Sequence, residues 1–264
     1  MTAVVFITLT LGFIFFYSGH IKDILLNELR TQVKEEVTIE LKNIELTWVT
    51  HFPDISLELS ELKIYQKIDN KQDTLISVKA LGLGLDISEL LQNDFTIEKI
   101  FIEDGFCSMK VFGKDNTNFK LLKTKKTSDS SSTEISFELE SIHLSNLNYQ
   151  FRNMSENDIY SVYFEKTTSN LVFEDNEWDI SLEGPLSVEN ISVNQTEYVL
   201  HRNLDANFNL LYNPIEKSFK LDESSLKVNG GEFQLSGIYI NNAKQHLDLN
   251  IKSSENKISN CLDN

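Results

Sequence analysis

His51 and Asp54 stand three residues apart around Pro53 and are the chain's nearest approach to an acid–base pair. A turn ahead of a proline explains that spacing better than catalysis does. No His-Glu-x-x-His, Gly-x-Ser-x-Gly, phosphate loop ending Gly-Lys-Ser/Thr, or Cys-x-x-Cys occurs. Gly82-Leu-Gly84 is too short for a dinucleotide fingerprint, and glycines inside a strand relieve crowding. The many Asp and Glu residues alternate with apolar ones, which is the pattern of a solvated strand face. Cys107 and Cys261 are too few and too far apart for a disulfide framework or a zinc site. The expectation is a protein with no enzymatic activity, no metal and no cofactor.

The charge balance narrows the partners. A net charge of −16 argues against nucleic acid, whose binding needs clustered Lys and Arg, and against adsorption to anionic headgroups through a basic face. With 3 prolines and 10 glycines in 264 residues, there is little room for collagen-like or disordered stretches. The three Asn-x-Ser/Thr matches at 153, 190 and 194 carry no weight, since such matches arise by chance in an Asn-rich sequence.

The most apolar stretch is at the N-terminus. Val4, Phe6, Leu9, Phe13, Phe15 and Phe16 belong to an uncharged run that ends only at Lys22. Residues 2–21 match the roughly 20 residues a helix needs to cross a bilayer. Residues 1–21 are therefore read as a transmembrane anchor. A cleaved signal peptide and a buried soluble helix are the other readings, but no basic residue precedes the run and Tyr17-Ser18-Gly19-His20 is a poor cleavage site. Ile21, Leu25, Leu29, Val33 and Val37 then recur every four residues between charges, which predicts an amphipathic helix over 22–37. Lys22, Arg30 and Lys34 after the anchor mildly favour a cytoplasmic C-terminal side, a weak indication because long domains translocate regardless of such charges.

Beyond residue 37 the period falls from four to two. Ile44, Leu46 and Trp48 alternate with polar residues; Ile55, Leu57 and Leu59 follow, and then Leu62 and Ile64 after a one-residue slip at Ser60-Glu61 that suggests a bulge. Strand patterning runs through 76–85 and 95–103, turns at Asp104-Gly105, returns over 106–112, and resumes through 135–147 and on to 251, with one short helical turn at 88–92. Residues 38–122 form a first β block. Residues 123–133, KTKKTSDSSST, contain no apolar residue and read as a mobile loop. Residues 134–264 form a second block. The run beginning at Phe95 aligns with that beginning at Phe137 at an offset of 42 residues. Short hairpins without intervening helices imply a meandering antiparallel sheet. With no long helix after residue 37 to cover it, the apolar face must close into a sandwich or barrel, or curl into a groove holding apolar ligand. Phe101, Phe106, Phe112, Phe119, Phe137, Tyr149, Phe151, Phe173 and Phe208 could line either.

The order of features over residues 4–152 resembles the N-terminus of AsmA-family proteins, particularly the form common in Bacteroidetes. The pieces are the anchor, the amphipathic segment ending Val37-Thr38-Ile39-Glu40-Leu41, Trp48, Phe52-Pro53-Asp54-Ile55-Ser56-Leu57, Leu59 to Ile64, Asp73-Thr74-Leu75, Ile97 to Gly105 and Asn118 to Leu122. The resemblance implies a single-pass inner-membrane anchor, a periplasmic bulk, and a β-groove related to chorein-type bridge-like lipid transfer proteins. The implied partner is phospholipid or another envelope lipid, and the implied role is lipid transport in outer-membrane homeostasis. Family members usually continue past this length, so a chain truncated at its C-terminus is expected.

The fold class expected is mainly β with an N-terminal transmembrane and amphipathic α-helix, its elongated antiparallel sheet curled into an apolar groove. Leu57, Leu59, Leu83, Leu85, Ile100, Ile102, Phe106 and Phe137 are the residues expected to face lipid. Exposing an acyl chain to water costs about 0.8 kcal/mol per CH₂, or roughly 12 kcal/mol for sixteen carbons, so a continuous apolar face would need no catalytic residue. The alternative role is a non-catalytic envelope scaffold whose strand edges dock protein partners.

Overall fold

The computed structural model describes residues 33–47, 55–68, 71–85, 95–114, 116–121, 135–174, 177–242 and 245–253. The anchor residues Val4, Phe6, Leu9, Phe13, Phe15 and Phe16 lie outside the described residues, as do the helical turn at 88–92 and the loop 123–133. Among the described residues no helix is long and apolar enough to cross a membrane.

Twelve strands form one sheet: β1 (Val37–Glu40), β2 (Asn43–Thr47), β3 (Ile55–Ile68), β4 (Lys71–Leu85), β5 (Phe95–Val111), β6 (Ile135–Asn153), β7 (Asp158–Glu174), β8 (Glu177–Val193), β9 (Thr196–Asn213), β10 (Ser218–Val228), β11 (Gly231–Ile240) and β12 (His246–Ser253). β1 and β2 lie end to end along β3, and from β3 onward the spatial order follows the chain order to β12. The first and last strands do not meet, and every substantial contact between elements is between ladder neighbours. Among the described residues the sheet is therefore neither a sandwich nor a barrel.

Turn chemistry explains the meander. Asn194-Gln195 and Asn229-Gly230 place both central residues at positive φ, the geometry of tight hairpins whose twist matches their strands. Between β9 and β10, the Asn213 side-chain Oδ1 accepts from the backbone N–H groups of Ile215 and Glu216, both at 2.9 Å. One junction departs from the antiparallel expectation: β5 and β6 are parallel. A parallel pair needs a long crossover, and residues 112–134 supply it. From Lys99 onward the β5–β6 register is an offset of 42, the offset at which the two sequences align.

The helix expected over 22–37 does not reach Val37. Glu35 and Glu36 lie in a turn, and Val37 opens β1; residues 22–32 lie outside the described residues. A spacing of four fits two strand periods as well as one helical turn, and Val37 belongs with Ile39 on β1.

Candidate functional site

The feature that organises the sheet chemically is a reversal of side-chain alternation at one level across successive strands. On one face β3 presents Leu57 and Leu59, then Leu62 and Ile64. Paired with these are Leu83, Leu81, Val78 and Ile76 of β4, and then Ile100, Ile102, Gly105 and Cys107 of β5. β6 continues with Ile142, Leu144, Leu147 and Tyr149, and β7 with Ser169, Thr167, Phe164 and Val162. Each strand from β3 to β7 skips a residue at the same level, so the register between them survives. Glu61, Asp104 and Asn146 do so with φ of 53°, 52° and 51°. Lys79 takes the matching place in β4. β7 and β10 cross the level with register shifts, and Gly184 crosses it in β8 at φ 126°. A Cβ at Gly184 would stand 2.6 Å from the Lys166 carbonyl oxygen. Bulges bend strands and increase twist, and here they align into a seam running across the strands.

Polar side chains secure the seam. On the outer face the Asn146 amide donates to Asp104 at 2.8 Å and the Tyr163 hydroxyl donates to Asn146 at 3.0 Å. Lys79 stands 3.5 Å from the other Asp104 oxygen. The Asn146 hydrogen bond, helped by the Lys79 charge, holds the Asp104 carboxyl below its ordinary range. Farther along, the Thr167 hydroxyl donates to the Pro185 carbonyl at 2.9 Å, and the Ser224 hydroxyl accepts from the Asn209 N–H at 2.9 Å.

The opposite face of this seam is apolar. Leu62, Val78 and Leu147 form one buried cluster, with Leu81, Ile102 and Leu144 packed on it. Leu186, Val188 and Ala206 form another with Leu182, Leu204, Phe208 and Leu226. Phe164 belongs to both, so the apolar surface is continuous from β1 to β10. Leu57, Leu59 and Leu62 are each only 2% exposed, and full burial of such a side chain is worth about 1.5–3 kcal/mol. Cys107 and Tyr149 sit on this face, and burial raises the pKa of both.

The expected lipid-facing residues divide accordingly. Leu57, Leu59, Leu83, Ile100 and Ile102 share the apolar face, and Leu85 follows on it through its pairing with Ile55. Phe106 does not. The reversal at Asp104 turns it to the other face, where it pairs with Ser77 and Asn148 and is 40% exposed. Phe101 is also on that outer face, stacked on His143 with ring centroids 4.9 Å apart. Phe137 pairs through its backbone with Ile97, and its side chain lies outside the described residues. The slip at Ser60-Glu61 is the seam itself rather than a register shift; the register shift in that hairpin falls at Ile64/Tyr65. Gly84 behaves as crowding predicts, since a Cβ there would come within 2.9 Å of the Lys99 Cβ.

The pattern did not single out two other groups. Asn118 is fully buried, accepts from the Lys110 N–H at 2.7 Å, and donates to Ser108 O and Asp73 Oδ1, both at 2.7 Å. Lys110 pairs with the other Asp73 oxygen at 2.7 Å. This cluster folds the chain back after β5 and starts the crossover. The second group is a row of aromatics along one end of the strands. Its sequence signal is positional: Phe173, Tyr212 and Tyr239 are each one residue from a strand's end, and Trp178 and Phe219 one residue from a strand's start. Among the described residues no group of His, Cys, Asp and Glu is arranged to hold a metal ion.

Among the described residues the sheet is open and carries one continuous apolar face. The sequence profile of the AsmA family matches residues 2–257, and the chain belongs to that family. Membership points to an envelope-associated function. No curated protein matches the chain, and no solved structure matches it either.

Proposed function

We propose that this chain is a non-catalytic phospholipid-binding protein of the bacterial envelope. In this reading it is anchored in the inner membrane through residues 1–21, with its sheet in the periplasm, and contributes to lipid transport towards the outer membrane. The observation that carries the proposal is the apolar face that runs unbroken through Phe164 from one buried cluster to the next. The seam lets the sheet curl along its length, so that this face becomes the inside of a groove. Acyl chains lie there while headgroups stay in water. An energetic barrier of about 12 kcal/mol for a sixteen-carbon chain is then removed by shielding alone.

The test is native mass spectrometry of the full chain extracted from bacterial membranes, with identification of co-purifying lipid. Leu57 and Ile100 are part of the same face, but Leu57 is too deeply buried to alter without risk to folding. Leu182→Asp with Phe208→Asp, at half-buried positions on the face, should reduce bound phospholipid at least about tenfold while leaving the circular dichroism of the sheet intact, since each charge would face hydrocarbon. Unchanged lipid occupancy in that folded variant would sink the reading.

A second reading is favoured by β12. Every residue of that strand is exposed, and Leu247, Leu249 and Ile251 lie on one side of it. Among the described residues β12 pairs only with β11, so strand addition by a protein partner fits its outer edge. A folded, monodisperse protein free of lipid would favour this scaffold role.

A further inference from the structure

The aromatic row lies outside both buried clusters yet on the same face. Register places Phe173 opposite Trp178, Trp178 opposite Tyr212, Tyr212 opposite Phe219, Phe219 opposite Tyr239, and Tyr239 opposite Leu247. Ring centroids are 4.7 Å apart for Phe173 and Trp178, 4.5 Å for Tyr212 and Phe219, and 6.3 Å for Phe219 and Tyr239. The aromatic row therefore crosses five strands, roughly 19 Å at about 4.8 Å per step, and Leu247 extends it onto a sixth. Phe173 and Phe219 remain substantially exposed. At the other end of the strands, among the described residues, Phe151 and Tyr160 make a ring pair on this face.

We propose that this row is the headgroup-level rail of the phospholipid groove: acyl chains lie between it and the seam, and the glycerol and phosphate region of a glycerophospholipid rests against the rings. The inference rests on the lipid-binding reading and deepens it. Trp and Tyr gather at lipid–water interfaces because each ring has an apolar body and a polar tip. The row has that composition and sits at that boundary. On one side are the apolar residues Leu182, Leu204 and Phe208; on the other are the strand ends, with Glu177, Asn213 and Glu216. The depth also fits. From Gly184 to Trp178, and from Ala206 to Tyr212, is six residues. At about 3.3 Å per residue that is roughly 20 Å, against about 15 Å for the hydrocarbon of one leaflet.

Trp178 is one of two tryptophans in the chain, so Trp48→Phe leaves it as the only indole. The full-length Trp48→Phe variant would be purified in detergent and loaded with phosphatidylcholine in three forms: spin-labelled on the headgroup, or brominated at a shallow or a deep position of the acyl chain. Lipid in each sample would be quantified by extraction. The proposal predicts that headgroup and shallow probes quench Trp178 at least about twofold more than the deep probe, as for an interfacial indole. A second indole position, Phe219→Trp in a Trp48→Phe/Trp178→Phe background, should give the same order. Phe208→Trp in that background, closer to the seam, should reverse it. Quenching of Trp178 that is strongest with the deep probe, or absent while extraction finds lipid, overturns the rail and leaves lipid binding standing. No extractable lipid overturns both.

Discussion

Single residues decide which way this sheet faces. Asp104, at positive φ and hydrogen-bonded by Asn146, is why Ile102 and Phe106 are on opposite faces. Its lowered carboxyl pKa means that this contact supports the fold at neutral pH and is lost as pH falls below the ordinary carboxylate range. Cys107 has the opposite sign. Burial raises its thiol pKa, so folding favours the neutral form, and that contribution fades only as pH rises beyond the usual thiol range. A water-soluble maleimide should therefore label Cys107 slowly at neutral pH in a Cys261→Ser variant, at least about tenfold slower than in urea, because the thiolate is the nucleophile. Rates equal to those of the unfolded chain would remove Cys107 from the apolar face. Asn118→Ala should cost about 2–4 kcal/mol in urea unfolding, since it removes the side-chain partners of the Lys110 N–H, the Ser108 carbonyl and Asp73 Oδ1 at once. A loss under 0.5 kcal/mol, the scale of an ordinary surface change, would show that the cluster is dispensable for starting the crossover.

At the scale of elements, the seam is the feature most open to test. Gly105 lies on it beside Asp104, and a Cβ there would come within 2.1 Å of the Ser77 carbonyl oxygen. Gly105→Ala should therefore destabilise by about 3 kcal/mol or more, with β4 and β5 losing amide exchange protection first. Wild-type stability in that variant would mean that the two strands can part without cost. The strands themselves were legible because alternation is imposed by burial: Leu57, Leu59, Leu62 and Ile64 announce both the apolar face and its interruption. The direction of the β5–β6 pair was not, although the 42-residue alignment carried its register, because parallel and antiparallel partners alternate alike. Phe106 was misplaced for a related reason. Asp104-Gly105 reads as a turn between two strands, whereas the positive φ of Asp104 keeps the strand going and shifts its parity. The aromatic row was invisible because its members are adjacent only across hydrogen bonds, tens of residues apart in the chain.

The whole molecule is a single layer without a second sheet among the described residues, and its connectivity sets how it carries load. Pulling the two ends of the chain apart draws each hairpin open from one side, one hydrogen bond at a time. The β5–β6 pair is loaded differently. Its strands run the same way and are joined by a crossover from the end of one to the start of the other, so tension slides them past each other and stresses the whole ladder from Phe95–Ile135 to Val111–Asn153 at once. In an optical trap, β12 back to β7 should peel in small low-force steps, followed by one event at markedly higher force when the pair shears. A force trace without that event would contradict the parallel register. The crossover that interrupts the meander is thus also a mechanical clamp, placed midway along a sheet that otherwise resists tension only as a zipper does.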